Sequence, residues 1–229
     1  MKSEVTKTGH AVVVFSGGQD STTCLYWALS KFETVSAISF AYGQNHEVEL
    51  KQARIIAERE GVSLDVFELP MFTQLANSAL VTGGDVTEAH PNNAKLPASY
   101  VPNRNAIFLT IAHAYAQKLG ADSVITGVCE TDFSGYPDCR SDFISALNLA
   151  LNNGADCHIK ILTPLMWLNK AQTFELAENL GCLQIILDDS HTCYNGKRSP
   201  KFKWGRGCGV CPACNLRSNG FQEYLLSNK

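Results

Sequence analysis

Five short apolar runs punctuate the chain: AVVVF at 11–15, TVSAISF at 34–40, SLDVFEL at 63–69, DSVITGV at 122–128 and HIKILTP at 158–164. Their length and their β-branched and aromatic content predict strands. Between them, helical patterns run over 20–31, 45–60, 104–119, 140–152 and 169–180. Gly61, Gly120 and Gly181 close several of these segments, the residue type that ends a helix in a left-handed turn. Such alternation predicts βαβ units, and hence an α/β fold with an open, mostly parallel, Rossmann-like sheet and helices on both faces. The first run is apolar at successive positions, as a strand covered on both faces must be.

The segment 71–103 breaks this rhythm, scattering turn formers through TGGD, HPNNAKLP and VPN. A long irregular insertion in an α/β domain is usually functional, and we read it as active-site rim. No internal repeat or low-complexity tract is present. The expected organisation is an α/β domain over 1–185 and a cysteine-rich C-terminal module over 186–229.

Composition narrows the chemistry only a little. At 229 residues and 45% hydrophobic content the chain can bury a substantial core. No window approaches the roughly eighteen apolar residues of a membrane span, and MKSEVTKTGH lacks the apolar stretch of a signal peptide. A cytoplasmic protein without a membrane partner is expected. The net charge of −3 gives no global basic field, so no nucleic-acid partner is expected. Locally, KRSPKFKWGR at 197–206 gathers five cations and two aromatics, a run that reads as a solvated loop. Nine cysteines without an export signal point to reduced thiols or a metal rather than to disulfides.

The chemistry begins where the first strand ends, in SGGQDS at 16–21. In an open parallel sheet, ligands bind beyond the carboxyl ends of strands, and a glycine turn entering a helix aims free N–H groups at an anion. The turn lacks the lysine of a Walker A loop and the third glycine of a dinucleotide fingerprint. What remains is a phosphate cradle of Ser16, Gly17, Gly18, Ser21 and Thr22. Asp20 beside phosphate is repulsive unless a cation intervenes, and Mg²⁺ would resolve this; alternatively Asp20 and Ser21 only cap the helix. The stretch resembles the PP-loop of the N-type ATP pyrophosphatases. That resemblance implies ATP binding along Phe15, Ser16, Gly17, Gly18, Gln19, Asp20, Ser21, Thr22, Thr23, Cys24 and Leu25, with cleavage between the α and β phosphates.

Near the C-terminus, Cys193, Cys208, Cys211 and Cys214 can close a tetrahedral Cys₄ site. Four thiolates leave no open coordination position, which makes a Zn²⁺ there structural; an Fe–S cluster is the rival. His191 is an alternative to Cys193 as ligand. The short amphipathic helix NLRSNGFQEYL follows, which the metal would pin to the α/β body together with the 194–207 loop.

Two middle stretches carry further special residues. SYVPNRNAIFLTIAHAYA places Arg104 at a helix entry, where it reaches a phosphate or carboxylate, or makes a helix-start ion pair. ITGVCETDFSGYPDCR at 125–140 leaves a strand's C-terminal end with Glu130, Asp132, Asp138 and Arg140 beside Phe133 and Tyr136. Acidic groups with aromatic faces suit a flat heterocycle bearing N–H donors; the plainer reading is a capped polar loop.

Together with YGQNH, TPLMWLNKA, TCYNG and CGVCPACNLR, these stretches are similar to the 7-cyano-7-deazaguanine synthase family of the queuosine pathway. The basic 197–206 loop is longer than expected of that family. The resemblance implies an adenine nucleotide alpha hydrolase-like fold and a carbon–nitrogen-forming ligase, typically a homodimer. It would take 7-carboxy-7-deazaguanine and ammonia to the nitrile with ATP, Mg²⁺ and Zn²⁺. It further implies catalytic roles for Asp20, Arg104 and Arg140, and substrate contacts from Glu130, Asp132, Phe133 and Tyr136. The alternatives are a PP-loop tRNA sulfurtransferase, in which Cys129 or Cys139 would be the reactive thiol, and an ATP-sensing adaptor without catalysis.

Overall fold

The computed structural model describes residues 7–42, 48–75, 89–90, 93–97, 99–131 and 136–227. Its frame is a parallel sheet of β1 (His10–Val14), β2 (Thr34–Ala41), β3 (Ser63–Glu68), β6 (Ser123–Ile125) and β7 (Lys160–Leu162), ordered β3-β2-β1-β6-β7. The five strands overlap the five apolar runs read from the sequence. Between β1 and β2 runs α1 (Gln19–Lys31), and between β2 and β3 runs α2 (Val48–Arg59). The chain then continues through α3 (Phe72–Leu75), a short antiparallel pair of β4 (Ala89–His90) and β5 (Asn93–Pro97), and α4 (Arg104–Leu119) into β6. The 71–103 segment, expected to be irregular, therefore holds small ordered elements. A 3₁₀ turn (Pro137–Cys139) and α5 (Ser141–Ala155) lead to β7, and α6 (Lys170–Asn179) and α7 (Leu183–Asp188) follow.

Alternate residues of β1 explain why both sheet faces are covered. Val12 packs with Ile38, Leu109 and Ala112 on the α4 side. Ala11 and Val13 pack with Leu25, Ala28, Ala53 and Ile56 on the α1/α2 side. All three β1 residues are fully buried, which is what a continuous apolar run demands.

From β1 the chain winds outward to β3, then returns to β6 on the other flank of β1. The carboxyl ends of β1 and β6 thus flank a topological switch point, where neighbouring connections leave in opposite directions and open a crevice.

Beyond α7 lies a third apolar cluster, in which Phe174, Cys182 and Ile186 meet Trp204, Phe221 and Tyr224. It is built from α6, α7, a hairpin of β8 (Lys201–Phe202) and β9 (Gly205–Arg206), and α8 (Pro212–Ser227). The basic stretch is this hairpin. Arg198 donates to the Asp188, Asp189 and Ser190 carbonyls, and Arg206 to that of Asp188. Lys201 pairs with the Asp188 carboxylate. Three of the cations therefore satisfy the C-terminal end of α7, where cations complement the helix dipole. Among the described residues, no helix is long and apolar enough to cross a membrane.

Candidate active site

The SGGQDS loop at 16–21 takes its shape from close packing at two glycines. Gly17 has φ +75°, and a Cβ there would lie 2.6 Å from the Ala53 backbone nitrogen at α2. Across the crevice, a Cβ on Gly127 would come within 3.2 Å of the Asp20 carbonyl carbon. These positions let the loop and the start of α1 settle against α2 and against the segment leaving β6. Ser16 and Ser21 link their hydroxyls at 3.1 Å, and Ser21 Oγ also accepts from Ser16 N–H at 3.2 Å. Ser39 donates to the Phe15 carbonyl and holds the exit of β1. Thr22, Thr23, Cys24 and Leu25 are buried; Cys24 and Leu25 belong to the core under the loop. Both ends of the buried Gln19 amide and the Thr22 hydroxyl have no hydrogen-bond partner among the described residues.

Asp20 does not stand alone. Lys170 Nζ donates to both of its carboxylate oxygens at 2.9 Å. Lys170 is the first residue of α6, whose Asn169/Gln172 capping box fixes where the helix begins. A cation there opposes the helix dipole, so its place calls for a nearby anion, which Asp20 supplies. A lysine thus meets the glycine loop from a helix start 150 residues downstream. The signal was present in the sequence as N-K-A-Q, a lysine just inside a capping box. α8 makes room for it, since a Cβ on Gly220 would lie 2.5 Å from Lys170 Cβ.

Arg104, at the first turn of α4, points into an aromatic cluster. Its guanidinium carbon lies 6.0 Å from the Tyr42 ring centroid and 5.8 Å from that of Tyr136. Burial alone would weaken its hold on the proton, but Tyr42, Tyr136, Tyr194 and Asp138 overcome this and keep it firmly cationic. Burial pushes the nearby Glu49 carboxyl up to about 7, against the pull of Arg104. Tyr42 follows β2, Tyr136 precedes the 3₁₀ turn and Tyr194 follows Cys193, so three separate stretches of chain meet at one cation. Tyr136 is held by Ser99 Oγ at 2.6 Å and lies near Tyr194, whose own hydroxyl is pushed far up by burial.

The acidic residues of the middle motif serve first as helix caps. Asp138 Oδ2 accepts from Asn105 N–H at 3.0 Å at the start of α4, and Glu130 Oε2 accepts from Ser141 N–H at 2.9 Å at the start of α5. Asp138 is buried, whereas Glu130 and Arg140 are exposed. Asp132 and Phe133 lie outside the described residues, as do positions 43–46 of YGQNH. Cys129 Sγ donates to the Leu168 carbonyl at 3.1 Å, and Cys139 accepts from Asn105 Nδ2 at 3.3 Å.

Cys193, Cys208, Cys211 and Cys214 bring their sulfurs within 4.8 Å of one another. Cys193 and Cys211 are 4.0 Å apart and Cys208 and Cys214 3.9 Å. Tetrahedral zinc with bonds of about 2.3 Å requires sulfur separations of roughly 3.8 Å, so the four residues fit that ion. His191 is turned elsewhere: its Nε2 meets the Cys193 carbonyl at 3.1 Å, and burial pulls its imidazole down to about 4. Arg217 joins this module to the rest from a fully buried position, donating to the Trp204 carbonyl (3.0 Å), Thr192 Oγ1 (3.2 Å) and the Ile186 carbonyl (2.6 Å). Burial brings its guanidinium down to about 10, with Asp20 pulling it back up.

Residues 10–225 match the family model described as queuosine biosynthesis protein QueC. A 7-cyano-7-deazaguanine synthase of Wolinella succinogenes is 52% identical over 222 residues, 96% of this chain and 95% of that one. The synthase of Bacillus subtilis is 48% identical over 220 residues, covering 96% and 97%. Among solved structures, a 4-thiouridine synthetase–RNA complex with bound ATP aligns at TM-score 0.46 and 16% identity over 95% of this chain and 50% of that one, too distant to weigh further. With a family model spanning nearly its whole length and relatives near half identity from end to end, the chain belongs to the QueC family of queuosine biosynthesis proteins.

Proposed function

We propose that the protein is a 7-cyano-7-deazaguanine synthase, a carbon–nitrogen-forming ligase that uses ATP to turn 7-carboxy-7-deazaguanine and ammonia into the nitrile. The observation that carries this reading is the pairing of a PP-loop with Lys170 across from the Arg104 cluster at one switch point. A carboxylate is a poor electrophile, because its oxygen is a poor leaving group. Adenylation displaces pyrophosphate and converts that oxygen into part of a good one. Ammonia then attacks to give the amide and AMP. Adenylation of the amide oxygen, followed by loss of AMP and a proton, gives the nitrile.

In this scheme the Ser16–Thr22 turn takes the phosphates through α1's first-turn amides and the serine hydroxyls. Lys170, placed by Asp20, supplies fixed positive charge where pyrophosphate departs. Asp20 keeps 31% of its side chain exposed and so retains oxygen lone pairs for Mg²⁺, which would neutralise phosphate charge. Arg104 faces anionic charge on the substrate or the departing phosphates, and Tyr136 and Tyr194 flank the flat heterocycle. Arg140, Glu130, Asp132 and Phe133 complete the substrate side. The cysteine module holds one structural Zn²⁺, and 1–185 and 186–229 act as body and module in each subunit of a homodimer.

Incubation with ATP, ammonium and 7-carboxy-7-deazaguanine tests the reading. Mass spectrometry should show the nitrile, with AMP and pyrophosphate formed in step. Formation of ADP and phosphate instead would overturn the adenylation route.

A further inference from the structure

The stretch that leads into the first cysteine ligand is also the stretch that holds the PP-loop. His191 N–H donates to the Gly17 carbonyl at 2.8 Å. Thr192 Oγ1 accepts from Gln19 N–H at 3.3 Å. Cys193 follows immediately. There is little slack at this contact, because a Cβ on Gly18 would come 3.3 Å from the His191 carbonyl oxygen.

Helix α1 begins at Gln19, and Gly18 before it, at the N-cap, offers no side-chain cap. Its first-turn amides have no partner within the helix. Thr192 takes one of them in the manner of a Ser/Thr N-cap, but from 173 residues away, and so leaves the remaining amides of the turn to an anion. The same oxygen is gripped from behind by Arg217 Nη1 at 3.2 Å. Arg217 sits three residues past Cys214, and its other donors are fixed to backbone carbonyls. One hydroxyl therefore connects the phosphate cradle to both arms of the cysteine site.

We propose that Thr192 is a positioning residue through which metal occupancy of the cysteine site sets the phosphate-binding shape of the PP-loop, so that zinc and ATP bind cooperatively. The inference rests on reading the four cysteines as a zinc site and 16–22 as a phosphate cradle. Ligation of Cys193 fixes the 191–193 backbone, and ligation of Cys214 fixes the helix that carries Arg217. Without the ion, the trans cap and its orienting guanidinium lose their common anchor.

Linkage makes the effect reciprocal: if zinc tightens ATP binding, ATP must tighten zinc binding by the same factor. The test is zinc affinity of the full chain by chelator competition, with and without saturating ATP and with no deazaguanine substrate present. ATP is expected to tighten zinc by about tenfold, within the usual range of coupling. Thr192→Val should hold one zinc per chain yet cut that factor to below about twofold, while raising KM for ATP about tenfold with kcat little changed. Thr192→Ser, which keeps the acceptor oxygen, should restore both. A wild-type protein that binds zinc and ATP independently overturns the inference whether or not the valine variant folds, and so does a valine variant that folds with full coupling. A wild-type protein that binds neither overturns the underlying reading as well.

Discussion

The glycine loop at 16–21 rests on the sheet core, whereas the C-terminal stretch is gathered around four thiols. Strand β1 is buried on both faces, Gly17 and Gly127 allow backbone to approach backbone, and α1 starts where the turn ends. These contacts come from the loop's neighbours in the body, and the Thr192 acceptor for Gln19 N–H is contributed from beside the cysteines. The module sets a short hairpin and one long helix around its four sulfurs, against the apolar cluster of Phe174, Trp204, Phe221 and Tyr224, and it buries the cationic Arg217 guanidinium. A buried cation and a pocket of thiols each add a desolvation cost that this region must offset. The contrast teaches that the candidate site draws on two regions of different make-up, with Thr192, Tyr194 and Gly220 linking them.

The largest expected effect breaks that comparison directly. Cys211→Ser should abolish zinc binding, and the apparent binding free energy of a structural zinc, roughly 10–16 kcal/mol in isolated peptides, is folding energy. Hydrogen exchange should then show the amides of 191–227 exposed while β1, β2 and β6 stay protected, with nitrile formation near background. Uniform loss of protection in both regions would mean that the body depends on the module as well.

Next comes the charge that crosses from α6. Lys170→Met should lower kcat/KM by about 100- to 1000-fold, the usual effect of removing one preorganised electrostatic contact. Zinc content should stay at one ion per chain. Asp20→Asn should be nearly as damaging, and the double variant no worse than the more damaging single one, because the two side chains act as one unit. Additive losses would separate their roles.

A smaller effect is expected at the glycines, and it sharpens which side of the boundary is stiffer. Gly17→Ala combines a positive φ with a Cβ 2.6 Å from backbone, and should cost about 2–4 kcal/mol in denaturant unfolding. Gly220→Ala meets the Lys170 stem instead, and should cost about 1–3 kcal/mol while lowering kcat through a displaced amine.

The same contrast decides what could be read in advance. The strands and their flanking helices were legible because apolar period and glycine stops are local signals, and they place SGGQDS at the switch point without further information. The cysteine quartet was legible from spacing alone. Lys170 was not, because its partner lies on another element and only the fold brings them together; the capping box marked a helix start but not what it faces. Glu130 and Asp132 read as facing a heterocycle; Asp132 lies outside the described residues, and the contact described at Glu130 is with the Ser141 amide at a helix start, a partner the sequence does not reveal. The basic loop reads as solvent-facing by charge density, yet Arg198 and Arg206 turn inward to carbonyls at the end of α7, a destination no charge count reveals.

The smallest effect belongs to Cys129 and Cys139, in the segment that follows β6, and it bears on the sulfurtransferase alternative. Cys139 is buried beside Asp138, and burial first, then that carboxylate, pushes its thiol up to about 12. At pH 8 such a thiol is ionised to only about one part in ten thousand, and the thiolate is the nucleophile. Cys139 should therefore resist iodoacetamide in the folded protein, and Cys129, whose thiol is tied to the Leu168 carbonyl, should do the same. Cys129→Ala and Cys139→Ala should each cost on the order of 1 kcal/mol of stability and leave nitrile formation within a few-fold of wild type. A steep loss of activity in either variant with the fold intact would put a reacting sulfur on the body side of the boundary, where the adenylation scheme has no use for one.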